Sequence, residues 1–432
     1  MRNIRIAAVN ICRFILAVTF IFSGYVKAID PLGTLYKLKD YAAAMALNDI
    51  LPDWALVIVA IALGALEFSL GVFMLFAVRR HMVSKLTLAL MSVMTALTVW
   101  IYIADPVKDC GCFGDALKLT NGETLLKNIV LIACATLVAW RPADMARFIS
   151  RTNQWIVRYY TITYIVVTSV YCLYTLPIFD FRPYRVGTNI KHGMEIPEGA
   201  EQPEFESTFI LRKNGVTREF TLDNYPDSTW EYVDTKTVQT KKGYEPPIHD
   251  FAITTNDTGE DITEQVLTKK GYTFLLVSPR LAVADDSNFG DIDQIYEYAE
   301  ENGVNFLCLT ASTNEDIERW RELTGAEYTF CNADETTLKT MIRSNPGLIL
   351  LKKGVVINKW SVNRLPDEYQ LNKPLDKLLI GQLNPKTLPH KILMVAGWFF
   401  GPLAVFILCD LIWISWKRRR SKKEDKENET KE

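Results

Sequence analysis

Two cysteines separated by one glycine, in the run Asp109-Cys110-Gly111-Cys112-Phe113-Gly114-Asp115, are the residues of this chain best suited to chemistry. A disulfide between them closes only a small ring that departs from preferred geometry. Strained disulfides are more oxidising and exchange more readily, and Gly111 supplies the backbone freedom to close the ring. The spacing therefore suits a reactive redox pair. The other reading is structural: the thiols pair elsewhere or pack between helix ends. Glu67 is the second candidate, because it lies within an apolar run where an unpaired ionised carboxylate is expensive. It must be protonated, paired or facing a polar cavity. Lys27 or a hydroxyl such as Ser23 or Tyr25 is the partner on offer, although counting along the helix places Lys27 nearer the outer surface and leaves a direct contact open. A helix-packing hydrogen bond without chemistry explains Glu67 equally well.

The eight cysteines include no Cys-x-x-Cys pair and no Cys/His spacing suited to zinc, so no metal site is expected. Cys308 falls in an alternating strand pattern and reads as a packed thiol. Cys331 precedes a polar loop and reads as a buried inert thiol too, in a setting more open than that of Cys308. Cys134, Cys172 and Cys409 occur singly in apolar runs and read as small helix- or lipid-facing residues. A net charge of -2 offers no footprint for nucleic acid.

These residues must be positioned by membrane helices. Six runs are long and apolar enough to cross a bilayer core of roughly 30 Å: 6–28, 54–78, 82–104, 125–140, 156–176 and 392–416. Arg2 and Arg5 precede the first, which has no small-x-small cleavage site and reads as an uncleaved anchor. Arg79, Arg80 and Lys85 follow the second, Arg141, Arg147, Arg151 and Arg158 link the fourth to the fifth, and Lys417 to Arg420 follow the sixth. Retention of basic loops in the cytoplasm puts both termini on the cytoplasmic side of the inner membrane and three segments outside: a loop around Asp30 to Asp53, the Cys-Gly-Cys loop around Asp105 to Thr124, and the interval from about Phe179 to His390. The charged tail, 417–432, reads as disordered.

Between the fifth and sixth spans lies a long polar interval on the outer side. Alternation from Phe205 to Val233 around Lys213-Asn214-Gly215 predicts a hairpin. Beyond Pro246 the pattern predicts strand 272–277, helix 291–302, strand 305–310, helix 315–323, helix 336–343, a turn at Ser344-Asn345-Pro346, and a hairpin of 347–352 with 355–360 closed by Lys353-Gly354. This order resembles the thioredoxin fold over about Pro246 to Leu365, with Pro346 as the candidate cis-proline. Catalytic members of that fold carry Cys-x-x-Cys after the first of these strands, a position that reads Ser278-Pro279-Arg280-Leu281 here. The catalytic residues of that fold therefore do not carry over.

Cys-Gly-Cys-Phe-Gly after a third membrane helix, with Phe22-Ser23-Gly24 and Lys27 ending the first and Glu67 in the second, resembles the MauE branch of the MauE/DoxX membrane-protein family over about Ile6 to Trp140. The resemblance implies a four-helix bundle related in shape to vitamin K epoxide reductase. It also implies a part in methylamine utilisation, where MauE supports maturation of a disulfide-rich dehydrogenase subunit. Cys110 and Cys112 are then the candidate redox pair, with Lys27, Glu67, Gly111, Phe113 and Gly114 supporting them.

The expected organisation is a MauE/DoxX-like four-helix membrane domain (1–145), a fifth span (155–177), a strand-rich outer lead-in (178–245), an outer α/β thioredoxin-like domain (246–380), a sixth span (390–416) and a cytoplasmic tail (417–432). Two functions compete. One is a membrane-bound thiol-disulfide redox or maturation factor for an exported client protein, passing electrons to a quinone in the bundle, although only one cysteine pair is evident where known relays use two. The other is a non-catalytic membrane scaffold whose outer domain binds a partner. A transporter lacks the expected broken helices and internal repeat.

Overall fold

The chain is described by a computed structural model that covers residues 2–47, 51–107, 110–197, 199–201, 204–213, 216–221, 231–241, 243–249, 251–383 and 388–429. It divides into two units, one comprising 1–182, 360–365 and 384–432, the other 183–359 and 366–383.

The first unit begins with helices α1 (Arg2–Ile29), α2 (Pro31–Ala44), α3 (Asp53–Leu75), α4 (Arg80–Ala104), α5 (Asn121–Trp140) and α6 (Gln154–Tyr174). Of these, all but α2 are long and apolar enough to cross a membrane, as is residues Leu388–Trp416 of the C-terminal helix. The six apolar helices fit a helical membrane bundle. Helix α5 starts earlier than hydropathy implied, because Thr120 and Glu123 form a reciprocal capping box that stabilises its first turn. Helix α2 corrects the expectation of a loop over 30–53. At 14 residues it is too short to span, but Asp30 accepts a hydrogen bond from Gly33 N at 2.9 Å and Pro31 occupies the first turn, so the start is encoded locally.

Small residues set the closest helix contact in this unit. A Cβ added at Gly24 of α1 would sit 2.2 Å from Phe68 N of α3, and one at Gly71 of α3 would sit 2.6 Å from Ile21 N of α1. The two backbones touch where no side chain intervenes, which is how membrane helices gain packing energy in the absence of a hydrophobic drive between them.

One end of the bundle gathers the basic segments. Arg5 pairs with Asp144 at 2.9 Å, Arg80 donates to Ala143 O at 2.6 Å, and Arg13 donates to Ala146 O at 2.6 Å. The start of α1, the α3–α4 turn and the α5–α6 link therefore meet at that end, and the α4–α5 link lies at the other.

The second unit contains α7 (Ile190–Met194) and a three-stranded antiparallel sheet of β1 (Glu204–Lys213), β2 (Val216–Thr221) and β3 (Glu231–Lys241), in the order β2-β1-β3. Lys213 pairs with Val216, a two-residue hairpin register, while the expected turn residues Asn214 and Gly215 lie outside the described residues. The larger sheet uses β4 (Thr254–Thr255), then, after α8 (Thr263–Thr268), β5 (Tyr272–Ser278), followed by α9 (Phe289–Glu301), β6 (Asn305–Thr310), α10 (Asn314–Thr324), β7 (Thr329–Asn332), α11 (Glu335–Met341), β8 (Gly347–Lys352) and β9 (Val355–Ser361). Its order is β4-β7-β6-β5-β8-β9; β5, β6 and β7 run parallel, and β8 is antiparallel to β5. Lys353 and Gly354 both take positive φ in the β8–β9 turn, as a tight two-residue hairpin requires. The Asn345–Pro346 peptide is cis.

Strand β7, not read as an element, places Cys331 in the sheet and fully buried, in keeping with an inert thiol. The expectation of a disordered tail is corrected: α12 runs over Leu388–Glu429, so the backbone of the charged tail is helical through Glu429. Its Lys, Arg and Glu residues are good helix formers, and they extend a helix already nucleated by the span.

The Gly24 contact makes a sharp expectation. Gly24→Val should separate α1 from α3 and lower the thermal unfolding temperature of the detergent-purified protein strongly, a loss of about 3 kcal/mol or more for overpacking against backbone. Gly122→Ala, where the nearest atom would lie 3.7 Å away, should be neutral. Equal stability of the two variants would refute the close approach.

Candidate functional site

The site is built where α1, α3 and the α4–α5 link meet. Lys27, in the last turn of α1, is buried and directs its ammonium at three acceptors: Glu67 Oε2 at 2.7 Å, Ser23 Oγ at 2.8 Å and the Cys112 carbonyl at 2.9 Å. An ammonium has three N–H donors, so all are used. Ser23 accepts from Lys27 and lies 2.7 Å from Glu67 Oε2 and 2.8 Å from the Cys112 carbonyl; its single proton serves one of these at a time. Lys27, one of the partners the sequence offered for Glu67, contacts it directly. The long stem of Lys27 reaches across the close α1–α3 contact, so positions at different nominal depths still meet. Tyr25 is not the partner, since its hydroxyl has none among the described residues.

The Cys-Gly-Cys loop is held from both sides. The Tyr41 hydroxyl of α2 donates to the Cys110 carbonyl, and the Lys27–Ser23 pair holds the Cys112 carbonyl. Gly111 and Gly114 adopt φ of +63° and +51°, a left-handed conformation that L side chains rarely take, so both glycines are required by the turn. Phe113 packs on Phe22 of α1 with centroids 5.4 Å apart, and Lys127 of α5 places its ammonium 4.3 Å from the centre of the Phe113 ring. The structure thus brings together Cys110, Cys112, Lys27, Glu67, Gly111, Phe113 and Gly114. Pro346 belongs to the other unit, and Lys108 and Asp109 lie outside the described residues.

Neither cysteine is in a disulfide, and both are buried, at 7 % and 9 % exposure. The Cys110 thiol hydrogen-bonds Cys112, and this contact, reinforced by burial, pushes Cys110 above the ordinary thiol range. The same bond pulls Cys112 down to about 6. Burial opposes that, while the Lys127 and Lys27 ammonium groups lower it further and Glu67 raises it. The two shifts run in opposite directions, which favours Cys112 as the more acidic thiol of the pair.

Sequence reading missed Tyr41, because α2 was taken as a loop. It also passed over Lys127 and Asp410, although an ionisable residue inside a span is itself a signal. Asp410 of α12 is buried and accepts from Ser150 N and Oγ, both at 3.0 Å, and from Asn153 Nδ2 at 2.6 Å. Cys134 does not stand alone as expected; it hydrogen-bonds Cys12 of α1. Cys172 packs with Ile29 and Phe179, whereas Cys409 is exposed on α12. In the second unit Cys308 and Cys331 are fully buried, and burial pushes Cys331 up to about 11 and Cys308 higher still. Among the described residues no group of three or more His, Cys, Asp or Glu side chains is arranged to hold a metal.

Comparison with known families places this geometry in context. Residues 5–141, about a third of the chain, match the family model of Methylamine utilisation protein MauE, so this part of the chain is similar to that family of membrane proteins. Residues 205–242 match a domain of unknown function (DUF8463). No curated protein and no solved structure matches the chain.

Two outcomes follow from the site. Peptide-resolved alkylation of the full-length protein should show Cys112 reactivity rising as pH increases through about 6 and then levelling off, because the thiolate forms above its lowered pKa. A profile still climbing beyond pH 8 would contradict the assignment. Lys27→Met should destabilise the protein by about 3–5 kcal/mol by leaving Glu67 buried and unpaired, and Lys27→Met combined with Glu67→Leu should recover much of the loss. Thermal unfolding of the two single variants and the double variant checks this, with additive losses as the contrary result.

Proposed function

We propose that this chain is a membrane-bound thiol-disulfide redox or protein-maturation factor acting on exported proteins, with Cys110 and Cys112 as its reactive pair. The observation that carries the reading is two buried, neighbouring thiols held beside a saturated Lys27–Glu67 ion pair, in surroundings that raise Cys110 and lower Cys112. That asymmetry gives the chemistry a direction. A client thiolate attacks Cys110 of the Cys110–Cys112 disulfide, the sulfur–sulfur bond breaks, and Cys112 leaves as the thiolate, the better leaving group because its pKa is lower. The second client thiolate then displaces Cys110. The client gains a disulfide, and the pair is left as two thiols that must lose two electrons and two protons to an acceptor.

A quinone fits this requirement as a two-electron acceptor. Within the membrane unit an apolar cavity of 260 Å³, lined in part by Phe22, Tyr25, Phe68, Tyr164 and Phe399, has the flat aromatic walls that suit such a ring. Phe22 is shared between that cavity and the Phe113 contact.

The basic end of the bundle supports a cytoplasmic placement of both termini, with the Cys-Gly-Cys loop and residues 178–390 outside the inner membrane. The order β6-β5-β8-β9 and the cis peptide before β8 support a thioredoxin-like reading of the outer α/β domain. With no cysteine following β5 and with Cys308 and Cys331 buried, its role in this scheme is to bind the client. The matched family's name adds methylamine utilisation as the setting. A second reading, a non-catalytic assembly scaffold, is favoured by the burial of both thiols, since a protein client reaches them only if the loop opens.

The two readings separate in cells. In Cys112→Ala a mixed disulfide with an exported protein should accumulate on Cys110, and far less should form on Cys112 in Cys110→Ala. If neither variant traps a partner while both insert normally, the scaffold reading prevails. Sidedness has its own check: Leu117→Cys, at an exposed loop position, in a background with Cys110 and Cys112 changed to serine, should react with a membrane-impermeant thiol reagent in intact spheroplasts. Labelling only after lysis would invert the topology.

A further inference from the structure

Two ammonium groups face Cys112, and they are not equivalent. Lys27 gives all three donors to Glu67, Ser23 and the Cys112 carbonyl, and Glu67 cancels its charge at 2.7 Å. Lys127 reaches the site from two turns into α5 and rests its ammonium on the Phe113 ring at 4.3 Å. Among the described residues it has no carboxylate within ion-pair distance. A lysine within a span is expensive unless its charge is used, and a ring face attracts the cation without neutralising it. Its field is therefore available to the sulfurs on either side of Gly111.

The geometry points to Lys127 as the positioning residue that holds Cys112 in its thiolate form, with Phe113 as the platform that fixes the ammonium, while Lys27 serves to anchor the loop backbone. This deepens the redox reading and rests on it only for its biological use. The other groups facing the pair are the Cys110 thiol from the loop, Tyr41 from α2, Lys27 from α1 and Glu67 from α3, together with Lys37 of α2, whose stem lies against Gly111 and whose ammonium is 3.9 Å from Asp40. Lys127 is the cation that acts on both sulfurs in the same direction, lowering each. Phe113 thereby links the loop to α5, which explains why an aromatic residue directly follows the second cysteine.

The test is peptide-resolved alkylation of Cys112 against pH in the intact, detergent-purified protein, with no client or electron acceptor present. Lys127→Met should move the Cys112 profile to higher pH, with the rate below the midpoint falling about tenfold for each unit moved. Lys127→Arg should keep the wild-type profile, because a guanidinium also carries the charge and stacks on a ring. Phe113→Leu should give an intermediate shift. Lys85→Met, at the basic end of the bundle, controls for net charge and should shift nothing. Should Lys127→Met prove unstable, Lys127→Gln read against Lys127→Arg carries the same comparison. A neutral variant that unfolds with wild-type temperature and retains the wild-type profile would overturn the assignment. Failure of client trapping with the Lys127 effect intact would sink the redox reading alone.

Discussion

One ammonium group organises this membrane unit. Lys27 is taken out of water on a transmembrane helix, and its burial is tolerable because each of its protons meets an oxygen and one of those oxygens carries compensating charge. That condition propagates outward. Glu67 must reach Lys27 from α3, so α1 and α3 must lie in backbone contact, and Gly24, Gly64 and Gly71 provide the clearance. The third oxygen belongs to the Cys112 main chain, so the loop cannot drift from the bundle without leaving a buried donor unmet. Helix packing and the placement of the cysteines are thus parts of one electrostatic solution.

The same arrangement separates two tasks often assigned to a single charge. Lys27 is spent on backbone and carboxylate and gives the loop its position. Lys127 lies on a ring and leaves its field to the sulfurs. A pair of identical thiols thereby sits in unequal surroundings, contributed by four helices and one turn, that raise Cys110 and lower Cys112.

Much of the architecture was legible in the sequence because its signals are local. The spans announce themselves by apolar length, and the strands and helices of the α/β unit by periodicity. Glu67, Lys27, Cys110 and Cys112 stand out by chemistry or spacing, and the structure brings all four together. What sequence did not show depends on three-dimensional reach. Depth counting left the Lys27–Glu67 contact open because it treats side chains as points at their Cα positions. Tyr41 was invisible while α2 passed for a loop, and β7 is too short to show alternation, which hid the strand that buries Cys331. Cys12 and Cys134 meet only because α1 and α5 are neighbours in the bundle, a fact no linear pattern contains.

Asp410 has a consequence for how the chain is made. It lies on the final span, which leaves the ribosome after the whole interval that separates it from α6. Its partners Ser150 and Asn153 were synthesised some two hundred and sixty residues earlier. Until α12 docks, a carboxylate stands in or near the bilayer without its donors, and the α5–α6 link lacks its cap. Completion of this bundle therefore waits on contacts between α12 and segments made much earlier: Asp410 with the α5–α6 link, and Phe399 with Phe68 of α3 and Tyr164 of α6.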